Sequence, residues 1–173
     1  MSIICILQGA NSSRMKKTEY RNIIDHLLLE HKITVKRFRS SNSGRANLKG
    51  RFVEIPDPVS IQRFVTCLHE IGHIQRDKSS YPVWKCEHRA IQYAERYCRD
   101  HCIDIPEKVI QHNKFYLKAK LCKGFIRGLN ISKVDSDVLK YAGIDRIYWS
   151  KLLTHGFRPF TYQDTGRVIW TKK

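Results

Sequence analysis

The chain has 173 residues, 42% of them hydrophobic, and 32 Lys and Arg against 16 Asp and Glu, for a formal net charge of +16. That length suits one domain around a modest core, and no apolar run reaches the length a bilayer-spanning helix needs. The apolar stretch at residues 1–7 is too short for the hydrophobic part of an export signal, and no basic segment precedes it.

In chain order, residues 2–7 are expected as a first strand and residues 17–31 as a helix with Tyr20, Ile23, Ile24, Leu27 and Leu28 turned inward. Residues 33–39 and 51–55 read as strands, joined through a loop or hairpin connection at Ser40, Ser41, Asn42, Ser43 and Gly44. The second strand alternates and is stopped by Pro56, and it would offer an extended substrate an edge to pair with. A helix then opens at Asp57-Pro58, a side-chain acceptor followed by a first-turn proline. Its apolar residues, Ile61, Phe64, Val65, Leu68 and Ile71, recur at helical spacing. Residues 84–102 form a second amphipathic helix, and residues 107–129 a third, entered through Pro106 and weakened at its end by Gly124 and Gly128. Short helices follow at 136–141 and 144–153, then a hairpin of residues 160–163 and 167–170 about Asp164, Thr165 and Gly166. The expected class is α+β: a single domain over 1–173, with a catalytic core at 1–106 and a basic, mostly helical extension at 107–173.

The helix after Pro58 carries the most informative residues, His69-Glu70-Ile71-Gly72-His73. Positions i and i+4 of a helix share a face, so both imidazoles can address one metal ion. Glu70 lies about 100° round from His69. It is therefore better placed to act on a water than to ligate the metal, and two ligands beside a base are what zinc hydrolysis requires. Gly72 is unfavourable inside a helix by roughly 1 kcal/mol, which a close backbone approach would justify.

A hydrolytic metal needs a third protein ligand and an open position. Glu87 is the candidate, because it precedes Ala90, Ile91 and Ala94 by three, four and seven residues and so lies on the buried stripe of its helix. A bound cation would offset the expense of burying that carboxylate; pairing with a buried arginine, or a place at the stripe's margin, is the alternative. His88 is the rival ligand but points about 100° away; a rim or substrate-contact role, or no special role, is expected of it. Zinc suits two imidazoles and a carboxylate, although other first-row metals accept the same set. Tyr81, His88, Tyr93 and His101 are all candidates to stabilise an oxyanion.

These residues, His69-Glu70-Ile71-Gly72-His73 followed by Glu87 and the alanines Ala90 and Ala94, resemble the signature of the ImmA/IrrE-type zinc metallopeptidases. The resemblance covers roughly residues 50–105. It implies a zincin-like fold, with a small sheet beside the metal-binding helix and a second ligand helix. It also implies His69, His73 and Glu87 as zinc ligands, Glu70 as general base, and a phage- or mobile-element-encoded intracellular protease that cleaves a DNA-associated regulator. The chain departs from the pattern in its short stretch between His73 and Glu87, in Tyr93 where a phenylalanine is usual, and in lacking an evident helix-turn-helix domain.

Charge is unevenly spread. Residues 51–106 hold eight basic and eight acidic side chains, residues 1–50 ten against three, and residues 107–173 fourteen against five. Basic flanks around a neutral catalytic segment suggest nucleic acid or an acidic protein as partner. Lys114, Lys118, Lys120, Lys123 and Arg127, along one helix with Phe115 and Tyr116 interleaved, are the candidate contacts, and Lys36, Arg37, Arg39, Arg45 and Lys49 repeat the bias near the N-terminus. A basic binding module that keeps zinc as a structural or vestigial feature is the competing function. Six cysteines, Cys5, Cys67, Cys86, Cys98, Cys102 and Cys122, scatter through apolar and helical positions. This favours free thiols in the cytoplasm over a disulfide scaffold, with a second metal at Cys98, His101 and Cys102 as the lesser alternative.

Overall fold

The computed structural model describes residues 15–75, 82–161 and 166–172. The first expected strand, Tyr81 and, in the hairpin turn, Asp164 and Thr165 lie outside them. The chain is α+β, with six α-helices and five strands among the described residues. It divides into two compact units, Met1–Ser80 with Arg89–Ile105, and Tyr81–His88 with Pro106–Lys173. The division passes through one continuous helix.

The first unit begins with α1, Lys17–Glu30, followed by β1, Thr34–Arg39, β2, Arg45–Asn47, and β3, Phe52–Pro56. The three strands form a mixed sheet in the order β1-β3-β2, β1 parallel and β2 antiparallel to β3. β2 is a strand not anticipated from the Ser-rich connection; only three residues long, it carries too short a pattern to read. Its presence also corrects the expected substrate edge. β3 is hydrogen-bonded on both sides, so the open edges of the sheet, among the described residues, belong to β1 and β2.

Val53 and Ile55 point from β3 into the core, fully buried with Ile24, Phe64, Leu68 and Ile71. Those last three come from α2, Ile61–Ile74, which packs on β3. Tyr20 of α1 stacks obliquely on Phe64, centroids 4.9 Å apart. The cap of α2 is Ser60, whose side chain accepts from Arg63 N, and not Asp57. Asp57 closes a turn before the helix, its carbonyl accepting from Val59 N, and its carboxylate takes Arg21 at 3.1 Å.

α3, Val83–Asp100, enters both units. In the second unit its first turns are followed by α4, Glu107–Ile126, a 3-10 turn at Ile131–Lys133, α5, Ser136–Tyr141, and α6, Arg146–Thr154. The hairpin of β4, Phe157–Thr161, and β5, Val168–Lys172, packs through β4 on α4. Leu117, Leu121, Phe125, Val134, Val138 and Trp149 make this core. No helix among the described residues is long and apolar enough to cross a membrane.

Candidate metal centre

α2 presents His69 and His73 one turn apart, and their Nε2 atoms approach to 3.0 Å with the rings edge-on, centroids 4.6 Å apart. Two tetrahedral ligands at the usual Zn–N length sit about 3.3 Å apart, so the pair stands close to a chelating pose. Both imidazoles are half-buried. Glu87 joins them: one ligand atom from each of His69, His73 and Glu87 lies within 4.8 Å of the other two. This is the one such group of His, Cys, Asp or Glu among the described residues. Two imidazole nitrogens and a carboxylate oxygen form a donor set that could hold a divalent metal ion.

Glu87 is buried, 7% exposed, as its place on the α3 stripe predicts. One partner is a lysine from α4. Lys120 Nζ donates to Glu87 Oε1 at 2.8 Å while lying over the Tyr116 ring. Burial pulls the Lys120 ammonium down, but the bonds to Glu87 and Tyr116 outweigh it and hold its pKa above the ordinary lysine value. Lys120 therefore already supplies a counter-charge to this buried carboxylate through one of its two oxygens.

Glu70 is also buried, at 7%. The reason lies in a loop that sequence reading left unassigned. Arg63 Nε donates to Asn42 Oδ1 and Arg63 Nη2 to the Ser40 carbonyl, both at 2.8 Å, clamping the loop to α2. Gly44 is thereby laid against Glu70: a Cβ there would come within 2.4 Å of Glu70 Cγ and 2.8 Å of Oε1. Only a residue without a side chain allows that approach. Gly72 is explained the same way, since its Cβ would meet the Tyr93 side chain at 3.0 Å. The helical glycine marks the line where α2 and α3 touch.

His88 is not a rim residue. It is 4% exposed, its ring sits 5.5 Å from that of Tyr141, and Nδ1 lies 3.9 Å from Asp137 Oδ2. Among the other oxyanion candidates, the Tyr93 phenol is pushed up to about 12 by burial, helped by Tyr97 and Glu30. His101 stacks on Tyr97 and its Nδ1 meets the Tyr97 carbonyl at 2.8 Å. Tyr81 lies outside the described residues.

The cysteines split. Cys67, Cys86, Cys98 and Cys122 are free thiols, whereas Cys102 is disulfide-bonded, which corrects the expectation of free thiols at that position. A bonded sulfur cannot act as a thiolate ligand, so Cys98, His101 and Cys102 form no second metal site. Burial pushes the Cys98 and Cys122 thiols up to about 12.

The α4 cations do not form one stripe. At about 100° per residue, Lys114 and Lys118 fall on one side and Lys120, Lys123 and Arg127 roughly opposite. Lys123 and Arg127 are exposed; Lys114, Lys118 and Lys120 are half-buried, and burial lowers the Lys118 pKa. Comparison with protein-family models, characterised proteins and solved structures gives no match to this chain.

Proposed function

We propose that this chain is a zinc-dependent metallopeptidase with a zincin-like arrangement, acting on a specific protein. One observation carries the reading: His69, His73 and Glu87 bring three donors together, and the helix that supplies the two histidines also carries the buried carboxylate of Glu70. Zinc held by the three would supply Lewis-acid polarisation of a carbonyl and a lowered pKa for water. Glu70 is the base. It takes the proton of the attacking water as the new C–O bond forms, and returns it to the amine as the C–N bond breaks. Gly44 and the Arg63 clamp fix the position of that carboxylate. The edge of β2, unpaired among the described residues and following on from Gly44, is where an extended substrate would pair.

The resemblance to the ImmA/IrrE-type peptidases supports a DNA-associated regulator as substrate, in the cytoplasm. The competing reading, a binding module with a structural zinc, requires ligands but no base. Glu70 argues against it. The two separate in a Glu70→Gln protein, which should keep its fold and metal while losing cleavage. Wild type and variant are each incubated with bacterial lysate and the new protein termini compared. Identical patterns would leave the peptidase reading without support and favour the binding module.

A further inference from the structure

The outer face of the three-stranded sheet carries a concentration of charge that the hydrolytic reading does not use. Residues 31–53 contain seven Lys and Arg and no Asp or Glu. The strand register sorts them. Val53 and Ile55 are 0% exposed and face the core, so Phe52 and Glu54 face outward. Their cross-strand partners share that face: Arg37 and Arg45 flank Glu54, and Asn47 lies beside Phe52. Lys36, at the irregularity in β1, brings its ammonium over the Phe52 ring, 5.0 Å from the centroid. Glu54, the one anion here, is paired with Arg37 at 3.1 Å, and Arg37 is still 64% exposed. Lys36, Arg45 and Lys49 are exposed. The face thus presents exposed cations around a half-buried aromatic ring, with its single carboxylate paired to Arg37. α4, where the basic residues are split over two sides and three are half-buried, offers no comparable surface.

We infer that the outer face of the sheet binds single-stranded nucleic acid, with Lys36, Arg45 and Lys49 on the phosphates and Phe52 stacking on a base. Cations that track a backbone and an aromatic that accepts any base are the elements of sequence-tolerant single-strand binding. A duplex keeps its bases stacked on one another and leaves the ring no partner. The inference is independent of the metal chemistry, because none of these residues belongs to the candidate centre.

The test uses the full chain and three labelled probes followed by fluorescence anisotropy: an oligothymidine of about 15 nucleotides, an abasic strand with the same number of phosphates, and a duplex of matched length. Oligothymidine should bind tightest. A Lys36→Gln/Arg45→Gln/Lys49→Gln protein should bind at least about tenfold more weakly at ~0.1 M salt, with the slope of log K against log salt reduced by about 2, since each single-strand phosphate contact contributes about 0.7. Phe52→Leu, which keeps apolar bulk, should lose about tenfold on oligothymidine and little on the abasic strand. Lys123→Gln/Arg127→Gln on α4 should match wild type, as should Glu70→Gln. The inference is overturned if wild type ignores all three probes at low salt, if the abasic strand or the duplex binds as tightly as oligothymidine, or if the triple variant retains wild-type affinity with its circular dichroism unchanged.

Discussion

The two parts of the candidate centre are built by different means. His69, Glu70 and His73 come from five consecutive residues of one helix, and helical geometry alone sets both imidazoles on one side with the carboxylate beside them. Glu87 comes from another helix and is held by Lys120, 33 residues further along the chain. A local constellation survives as long as its helix does. A carboxylate held by a distant ammonium depends on the packing of a whole unit, so the two parts should respond differently to substitution.

The largest effect is expected where the ligand itself is removed. Glu87→Ala should weaken zinc binding by more than about 100-fold, beyond the 10–100-fold typical when a partner of a ligand is lost. His88→Ala should leave zinc affinity within about twofold while lowering stability by about 1–3 kcal/mol, because a buried ring packed on Tyr141 is truncated. Competition against a chromophoric chelator reads the first quantity, and urea unfolding the second. Zinc retained in Glu87→Ala and lost in His88→Ala would reverse the ligand assignment.

Lys120→Met probes the support and not the ligand. Glu87 keeps 9% side-chain exposure and Lys120 27%, so the pair is mostly but not fully buried. Breaking it should lower stability in chelator by about 1–3 kcal/mol, short of the 3–5 kcal/mol of a fully buried pair. Zinc should restore most of that loss, since the ion neutralises the same carboxylate. Urea unfolding with chelator and with zinc is the measurement. Equal stability of variant and wild type in chelator would mean that Lys120 does nothing for Glu87.

The same contrast explains what was legible in the sequence. His69 and His73 were readable because periodicity and chemistry share one short window. Glu87 was readable because Ala90, Ile91 and Ala94 define its face within two helical turns. Lys120 was visible only as one of five cations on α4, since nothing within its own helix announces a carboxylate from α3. Ser60 replaced Asp57 as the cap of α2 because the helix starts only at Ile61, three residues past Pro58, while Asp57 closes the turn before it and pairs with Arg21. The Ser40–Gly44 connection looked like an ordinary loop; its role depends on Arg63 drawing it across Glu70. Helix existence and facing were local properties, while strand order and the partners of each charge were not.

The smallest effects are expected at the two glycines, which separate the setting of Glu70 from that of the helix scaffold within the first unit. At Gly72 a methyl group would meet Tyr93 side-chain atoms at 3.0 to 3.1 Å, tight enough that the neighbour must give slightly. Overpacking of that kind costs about 1–3 kcal/mol, and alanine returns roughly 1 kcal/mol of helix propensity. Gly72→Ala should therefore lose about 0–2 kcal/mol and keep its zinc. At Gly44 the added carbon would lie 2.4 Å from Glu70 Cγ, which no real pair tolerates, so either the loop or the carboxylate must move. No propensity gain offsets this in a loop. Gly44→Ala should lose more stability than Gly72→Ala, about 1–3 kcal/mol, with zinc affinity unchanged because Glu70 is not among the ligands. Urea midpoints and chelator competition on the two proteins decide it. Equal midpoints would mean that Gly44 is not packed against Glu70, and a loss of zinc in Gly44→Ala alone would mean that Gly44 acts on the metal group.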